Sequence, residues 1–151
     1  MKYRGNLGIG EAIAMQLVDF VSCLHWSVEI LIPVPLGKMR LKDRGYNQVG
    51  LVARPLAYQM GWIYKPEALW KTRETSSQVG LTISQRRENV RNAYRADRNI
   101  VMRKSVLIMD DVATTGSTIL ACTEALLSAG AREVYVLTIA RALSHHSLDR
   151  V

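Results

Sequence analysis

Cysteine is scarce in this chain: two in 151 residues, Cys23 and Cys122, with no Cys-x-x-Cys pair. No disulfide is expected from them, and with only His25, His145 and His146 as histidines no structural zinc site is expected either. His145 and His146 are adjacent in a segment, 144–151, read as a surface tail, where neighbouring side chains diverge rather than share a metal. Long apolar runs are also missing. Nothing approaches the roughly 20 consecutive apolar residues of a membrane helix. The opening Met-Lys-Tyr-Arg-Gly-Asn contains no apolar signal core, so a cytoplasmic protein without a membrane span is expected.

What is present suits one globular domain over 1–151, since 48% of the residues are apolar. The net charge is +7, and its distribution says more than its total. Residues 38–104 carry fifteen of the twenty basic residues and five of the thirteen acidic ones, +10, leaving −3 for the rest of the chain. The middle of the chain therefore faces anions, either a polyphosphate or a nucleic-acid backbone, or is a solvated basic face.

The stretch 105–118, Ser-Val-Leu-Ile-Met-Asp-Asp-Val-Ala-Thr-Thr-Gly-Ser-Thr, is the one around which the chain is organised. Val106 to Met109 is a short unbroken apolar run, the pattern of a central parallel strand covered on both faces, expected to end at the acidic pair. Ile119, Cys122, Leu126 and Ala129 then recur at helical spacing up to Gly130. A strand, a tight loop and a helix follow one another. At the carboxyl edge of a parallel sheet such a loop presents a helix N-terminus and its positive dipole end, which favour a phosphate. Residues Ala113, Thr114, Thr115, Gly116, Ser117 and Thr118 form the expected cradle, with Gly116 allowing close approach and the hydroxyls donating. Asp110 and Asp111 can accept from a pair of sugar hydroxyls, or hold a divalent cation through water. An ordinary turn and helix cap would account for the same residues more plainly.

Earlier in the chain, Gly10 to about Cys23 reads as an amphipathic helix and Val28–Ile32 as a parallel strand stopped by Pro33-Val34-Pro35. The loop that follows, Pro33, Val34, Pro35, Leu36, Gly37 and Lys38, with alternating cations continuing to Arg44, is the candidate site for pyrophosphate at the same sheet edge. A helix carries Val49 to Met60 and is expected to kink or divide at Pro55. Trp62 to Trp70 reads as a strand, and Lys71 to Asn92 as a mobile lid anchored by Leu81 and Ile83 with a short basic helix over Ser84–Val90. Asn92–Asp97 returns as a strand before the central one, and Glu133–Ala140 is the last strand.

The thirteen residues from Val106 to Thr118 closely resemble the ribose-phosphate signature of type I phosphoribosyltransferases. Arg44-Gly45-Tyr46-Asn47-Gln48, the spaced set Arg73, Thr75, Gln78, Leu81, Arg86, Arg87, Asn89 and Val90, and Pro33-Val34-Pro35 are similar to the ComF-type competence branch of that superfamily. The resemblance covers nearly the whole chain. It implies an α/β, Rossmann-like, largely parallel sheet with helices on both faces, and it implies binding of phosphoribosyl pyrophosphate with Mg²⁺. The 5-phosphate would lie on 113–118 and the ribose hydroxyls on Asp110 and Asp111. Lys38 and Arg40 would neutralise the departing pyrophosphate, the lid with Lys71 and Arg73 would close, and a role in DNA uptake is implied. Members commonly begin with a cysteine-rich zinc module, and no such module is read in this sequence, whose two cysteines stand alone. Purine-salvage members place a carboxylate where this chain has Thr114, which cannot act as a base near neutral pH, so 6-oxopurine salvage is disfavoured. No residue nominates an acceptor, so two functions from different classes stand open. One is a transferase releasing pyrophosphate. The other is a catalytically silent module binding single-stranded DNA or a nucleotide, with Tyr46, Trp62, Tyr64, Trp70 and Tyr94 as stacking platforms among the cations. Either is compatible with a homo-oligomer.

Overall fold

The structure is a computed structural model that describes residues 3–75, 80–113 and 116–141. Along the chain come α1 (Tyr3–Ser22), β1 (Ile30–Pro33), α2 (Lys38–Arg44), α3 (Gln48–Met60), β2 (Ile63–Tyr64), a 3-10 turn (Pro66–Ala68) and β3 (Leu69–Lys71). They are followed by α4 (Ile83–Val90), β4 (Tyr94–Ala96), α5 (Arg98–Val101), β5 (Ser105–Ala113), α6 (Ser117–Ser128) and β6 (Glu133–Arg141). β2, β1, β5 and β6 form a parallel sheet in that order, with Ile30 opposite Val106 and Pro33 opposite Met109. No described helix is long and apolar enough to cross a membrane.

Period-two alternation along the strands sorts the core into two layers. Ile30, Ile32, Val106 and Ile108 pack with Cys122 and Leu126 of α6, Val90, Leu69 and Tyr94. Leu31, Leu107 and Met109 face the other way, onto Ala14 and Val21 of α1 and Val52, Ala53 and Leu56 of α3. With both faces covered, the strands had to be apolar at every position, which is why β1 and β5 read as unbroken runs. Each fully buried Leu or Ile contributes about 1.5–3 kcal/mol of transfer free energy.

α3 runs unbroken through Pro55 rather than dividing there. Proline has no N–H to give the carbonyl four residues back, Leu51. Gly10 of α1 packs against that same carbonyl: a Cβ on Gly10 would stand 2.6 Å from the Leu51 oxygen. The glycine lets α1 close over the point where α3 lacks a helical bond.

Other expectations need correction. Lys38–Arg44, read as a basic loop, is helix α2, because all seven residues are tolerant of a helix and none is β-branched, glycine or proline. The Trp62–Trp70 strand is broken into β2, the 3-10 turn and β3 by Pro66. β4 does return from the lid, but it pairs antiparallel with β3, Trp70 opposite Arg95, in a separate ribbon. α1 starts seven residues earlier than its periodicity suggests, and β5 continues through the acidic pair to Ala113. Helix α4 forms within one residue of its expected bounds, fixed by a Thr82–Gln85 capping box. Ile83 is 64% exposed and anchors nothing, whereas Val90 at the helix's other end is buried. The centre of the lid, 76–79, and the tail with its histidine pair, 142–151, lie outside the described residues.

Candidate functional site

β1 and β5 are neighbours in parallel register, so the loops that leave their carboxyl ends rise at the same sheet edge. The β1 loop is fastened on both sides. Val34 is buried; its N–H donates to the Met109 carbonyl (2.8 Å), and its carbonyl accepts from Asn47 Nδ2 (2.9 Å). Pro33 closes the strand, Pro35 and Leu36 are half-buried, and Gly37 is buried under the carboxylate of Glu74. A Cβ on Gly37 would collide with that carboxylate, whose Oε1 accepts from the Met39 N–H at 3.4 Å. The segment read as a pyrophosphate loop therefore already holds an anion, one supplied by the lid. Glu74 drew no notice in the sequence, where it is a lone carboxylate following Lys71 and Arg73.

The helical form of α2 also changes what its cations can reach. Lys38 and Lys42 fall on one stripe and Arg40 and Arg44 on another, four residues apart in each case. Arg44 donates to Gln48 Oε1 (2.8 Å). Arg40 is directed to the cradle side, since its charge bears on both Lys71 and Tyr94. Lys38 stands exposed at the first position of the helix.

On β5, Asp110 is half-buried and Asp111 exposed. Each folds back on the chain: Asp110 Oδ1 accepts from the Asp111 N–H (2.9 Å) and Asp111 Oδ1 from the Val112 N–H (2.8 Å). Burial raises the Asp110 pKa to about 6, against the pull of that backbone bond, and the Asp111 charge adds to the rise. Ala113 ends the strand, Thr114 and Thr115 lie outside the described residues, and Gly116 caps α6 in a left-handed conformation, φ 75°. Gly116 has no side chain to cap the helix with, so among the described residues the positive end of α6 carries no side-chain cap. Ser117 is buried and Thr118 half-buried in the first turn.

The β3–β4 ribbon brings the remaining groups over this edge. Tyr94 is buried, bonded to the Thr118 hydroxyl, and its phenol is pushed up by burial and by the Cys122 and Asp110 charges. Lys71, half-buried, donates to Thr75 Oγ1 (2.7 Å) and stands 6.0 Å from the Tyr94 ring. Its pKa is lowered, by burial first and then by Arg40 and Arg73, with Glu74 opposing. Arg73 is spent on the base of the lid, donating to the Arg91 carbonyl (2.8 Å). The structure thus brings together Asp110, Lys71, Arg40 and Thr118, leaves Lys38 at the rim, and adds Tyr94, Asn47 and Glu74. Asn47 had a signal within Arg44–Gln48 and Tyr94 only as a candidate stacking platform, whereas Glu74 had none.

Asp110 and Asp111 are successive residues of β5, one half-buried and one exposed, so they do not form a shared chelate, and a divalent cation here would be reached through water or a ligand oxygen. No group of three or more metal-ligating side chains exists among the described residues. That donor set fits a Mg²⁺ whose remaining ligands arrive on an oxygen-rich substrate.

Comparison with known proteins follows the same lines. A family model described as "phosphoribosyl transferase domain" matches residues 41–150. The DNA utilization protein YhgH of Salmonella typhimurium is 32% identical over 148 residues, 95% of this chain and 65% of that protein. Competence protein F of Haemophilus influenzae is 34% identical over 116 residues, 76% of this chain and 51% of that one. The chain spans about half to two-thirds of the length of these relatives. Among solved structures, an allosteric regulatory enzyme of purine biosynthesis superposes with a TM-score of 0.58 at 22% identity, covering 93% of this chain and 26% of that one. An adenine phosphoribosyltransferase from Thermoanaerobacter pseudethanolicus gives 0.53 at 14% identity, covering 85% and 80%. At such identities the superpositions show the fold.

Proposed function

The chain belongs to the phosphoribosyl transferase domain family, in its ComF-type branch, and from that premise we propose that it binds phosphoribosyl pyrophosphate or a related ribose 5-phosphate with Mg²⁺. The observation that carries the reading is the shared edge: a half-buried carboxylate, a helix start with no side-chain cap and two crowded cations converge where β1 and β5 end. The ribose hydroxyls would donate to Asp110 and Asp111, and the 5-phosphate would sit on 113–118 at the α6 start. Lys71 and Arg40 would face the pyrophosphate beside the Val34–Gly37 loop, displacing Glu74. Asp110 and Asp111 would position the sugar and could hold Mg²⁺ through water or the ligand, and the bound ion would supply charge neutralisation at the leaving group.

If transfer follows, the anomeric carbon passes through an oxocarbenium-like state, and this chain's part is to hold the leaving group and exclude water beneath the ribbon and lid. Titration calorimetry with phosphoribosyl pyrophosphate, with and without Mg²⁺, tests the binding. A saturable, Mg²⁺-dependent site that Asp110→Asn with Asp111→Asn abolishes is expected; binding indifferent to both changes overturns the reading. A screen of acceptors for pyrophosphate release tests catalysis.

A second reading is supported by the names of the relatives, DNA utilization and competence, and by the +10 middle of the chain. Single-stranded DNA binding would fall steeply with salt, survive the aspartate changes, and weaken when Arg86, Arg87 and Arg91 are neutralised. Of the proposed stacking platforms, Tyr94 is buried, and Trp70 is exposed at 44%.

A further inference from the structure

A cavity of about 600 Å³ lies away from this edge, along the flank of α3 between α1 and β2. Its volume is within the range of small-molecule sites, about 300–1,000 Å³. Its walls carry a distinctive set: Arg54, Tyr58, Gln59 and Asn47 from α3 and its cap, Tyr64 from β2, and Glu11 from α1.

Each group has capacity to spare. Arg54 is exposed and makes no ion pair with a carboxylate among the described residues, although its guanidinium is close enough to Tyr64 to bear on the phenol's charge. Tyr58 presents its ring to solvent at 83% exposure, and no described apolar cluster covers it. Tyr64 is half-buried, and burial holds its phenol in the neutral, donating form. Gly50 leaves room beside it, since a Cβ there would stand 3.0 Å from the Tyr64 oxygen. Glu11 and Gln59 add a carboxylate and an amide with acceptor and donor capacity.

We propose that this cavity is a second ligand site, separate from the cradle, that takes a nucleoside 5′-monophosphate: Arg54 on the phosphate, Tyr58 and Tyr64 against the base, and Glu11 and Gln59 on the base's polar edge. A guanidinium without a carboxylate partner recognises a phosphate by charge-assisted, two-point hydrogen bonding. An exposed phenol ring gains most when a flat base stacks on it. A carboxylate on the wall selects a ligand with a donating amine and disfavours a bare polyphosphate. The cavity also touches the first site through one residue. Asn47 caps α3 by accepting from the Val49 N–H (3.1 Å) and fastens the Val34 carbonyl of the β1 loop, so a ligand that moves its amide acts on that loop.

The test is calorimetric titration of the full chain with adenosine 5′-monophosphate in the Asp110→Asn, Asp111→Asn background, so that the ribose contacts of the cradle are disabled. Saturable binding is expected, weakened about tenfold by Arg54→Met and several-fold by Tyr58→Ala, and about tenfold weaker for ribose 5-phosphate, which has no base. Tyr58 is exposed enough that its truncation leaves the fold intact, which a thermal melt checks. No saturable binding, or binding unchanged by both substitutions, overturns the proposal. Loss of phosphoribosyl pyrophosphate binding in the parent chain would sink the first site and leave this one standing.

Discussion

The two edges of the same parallel sheet treat charge in opposite ways. At the amino edge Glu29 accepts from Lys104 Nζ (2.9 Å), from the Ser105 N–H (3.0 Å) and from Arg132 (3.4 Å). The buried Ser105 hydroxyl accepts from Arg132 (2.7 Å) and donates to Glu133 (3.2 Å), which also accepts from the Tyr135 phenol. The Ser105 bond and Lys104 hold the Glu29 carboxyl below its ordinary pKa. At the carboxyl edge like stands beside like: Asp110 beside Asp111, Lys71 within the field of Arg40 and Arg73, with the carboxyl raised and the ammonium lowered. Folding alone completes the first edge. The second is relieved by a ligand carrying both anions and hydroxyls, which is where a parallel α/β sheet binds its ligands.

Exchanging charge for shape at each edge should therefore have opposite consequences. Asp110→Asn is expected to weaken phosphoribosyl pyrophosphate on the order of a hundredfold, since a charge-assisted hydrogen bond to the ribose is lost. It should also raise thermal stability at pH 7 by about 1–2 kcal/mol, the burial penalty on the carboxylate discounted for its partial exposure. Glu29→Gln should lower the melting temperature and leave ligand affinity unchanged. Calorimetry paired with melts separates the two; a stability loss in Asp110→Asn would break the contrast.

Lys71→Met comes next. The ammonium is half-buried among cations, so the uncharged chain should be tolerated, while affinity for the pyrophosphate-bearing ligand falls about tenfold and affinity for ribose 5-phosphate is unchanged. Glu74→Gln should act the other way, raising pyrophosphate affinity about fivefold by removing the carboxylate that lies on Gly37 and the Met39 N–H. An unchanged affinity would mean that the anion on this loop does not compete with the ligand.

How far this contrast could be read in advance differs between the edges. The strand and helix on either side of the proposed cradle were legible because one local run, Val106–Thr118, encodes an apolar strand and a helix start together. The parallel sheet was legible because strands buried on both faces must be apolar throughout. Helix α2 was missed because cations spaced by two residues look like a loop until its helix-tolerant residues are weighed. Glu74 over Gly37, Tyr94 on Thr118 and the α3 flank cavity join residues tens of positions apart. They depend on how the ribbon folds over the sheet, which no local pattern states. Gly10 against the Leu51 carbonyl is of the same kind: Pro55 announced a defect, and only packing shows what covers it.

The smallest effect sharpens the contrast through pH. With Asp110 titrating at about 6, lowering pH from 7.5 to 6 should halve its ionised population and weaken ligand binding about twofold. The Asp110→Asn chain, whose residual binding reports only the ligand's own titration, should lack that increment. The stability signs run opposite at the two edges. Asp110, with a folded pKa above its ordinary value of 3.8, contributes stability that is fully present below 3.8 and lost as pH rises through about 6. Glu29, with a folded pKa below its ordinary value of 4.5, contributes stability present above 4.5 and lost as pH falls through its lowered value. Melts of Asp110→Asn and Glu29→Gln should therefore both converge with the parent in strong acid and depart from it with opposite sign as the carboxylates ionise, Asp110→Asn becoming more stable than the parent and Glu29→Gln less stable. If both curves depart from the parent with the same sign, the two edges are not electrostatically distinct and the carboxyl edge has no unsatisfied charge for a ligand to meet.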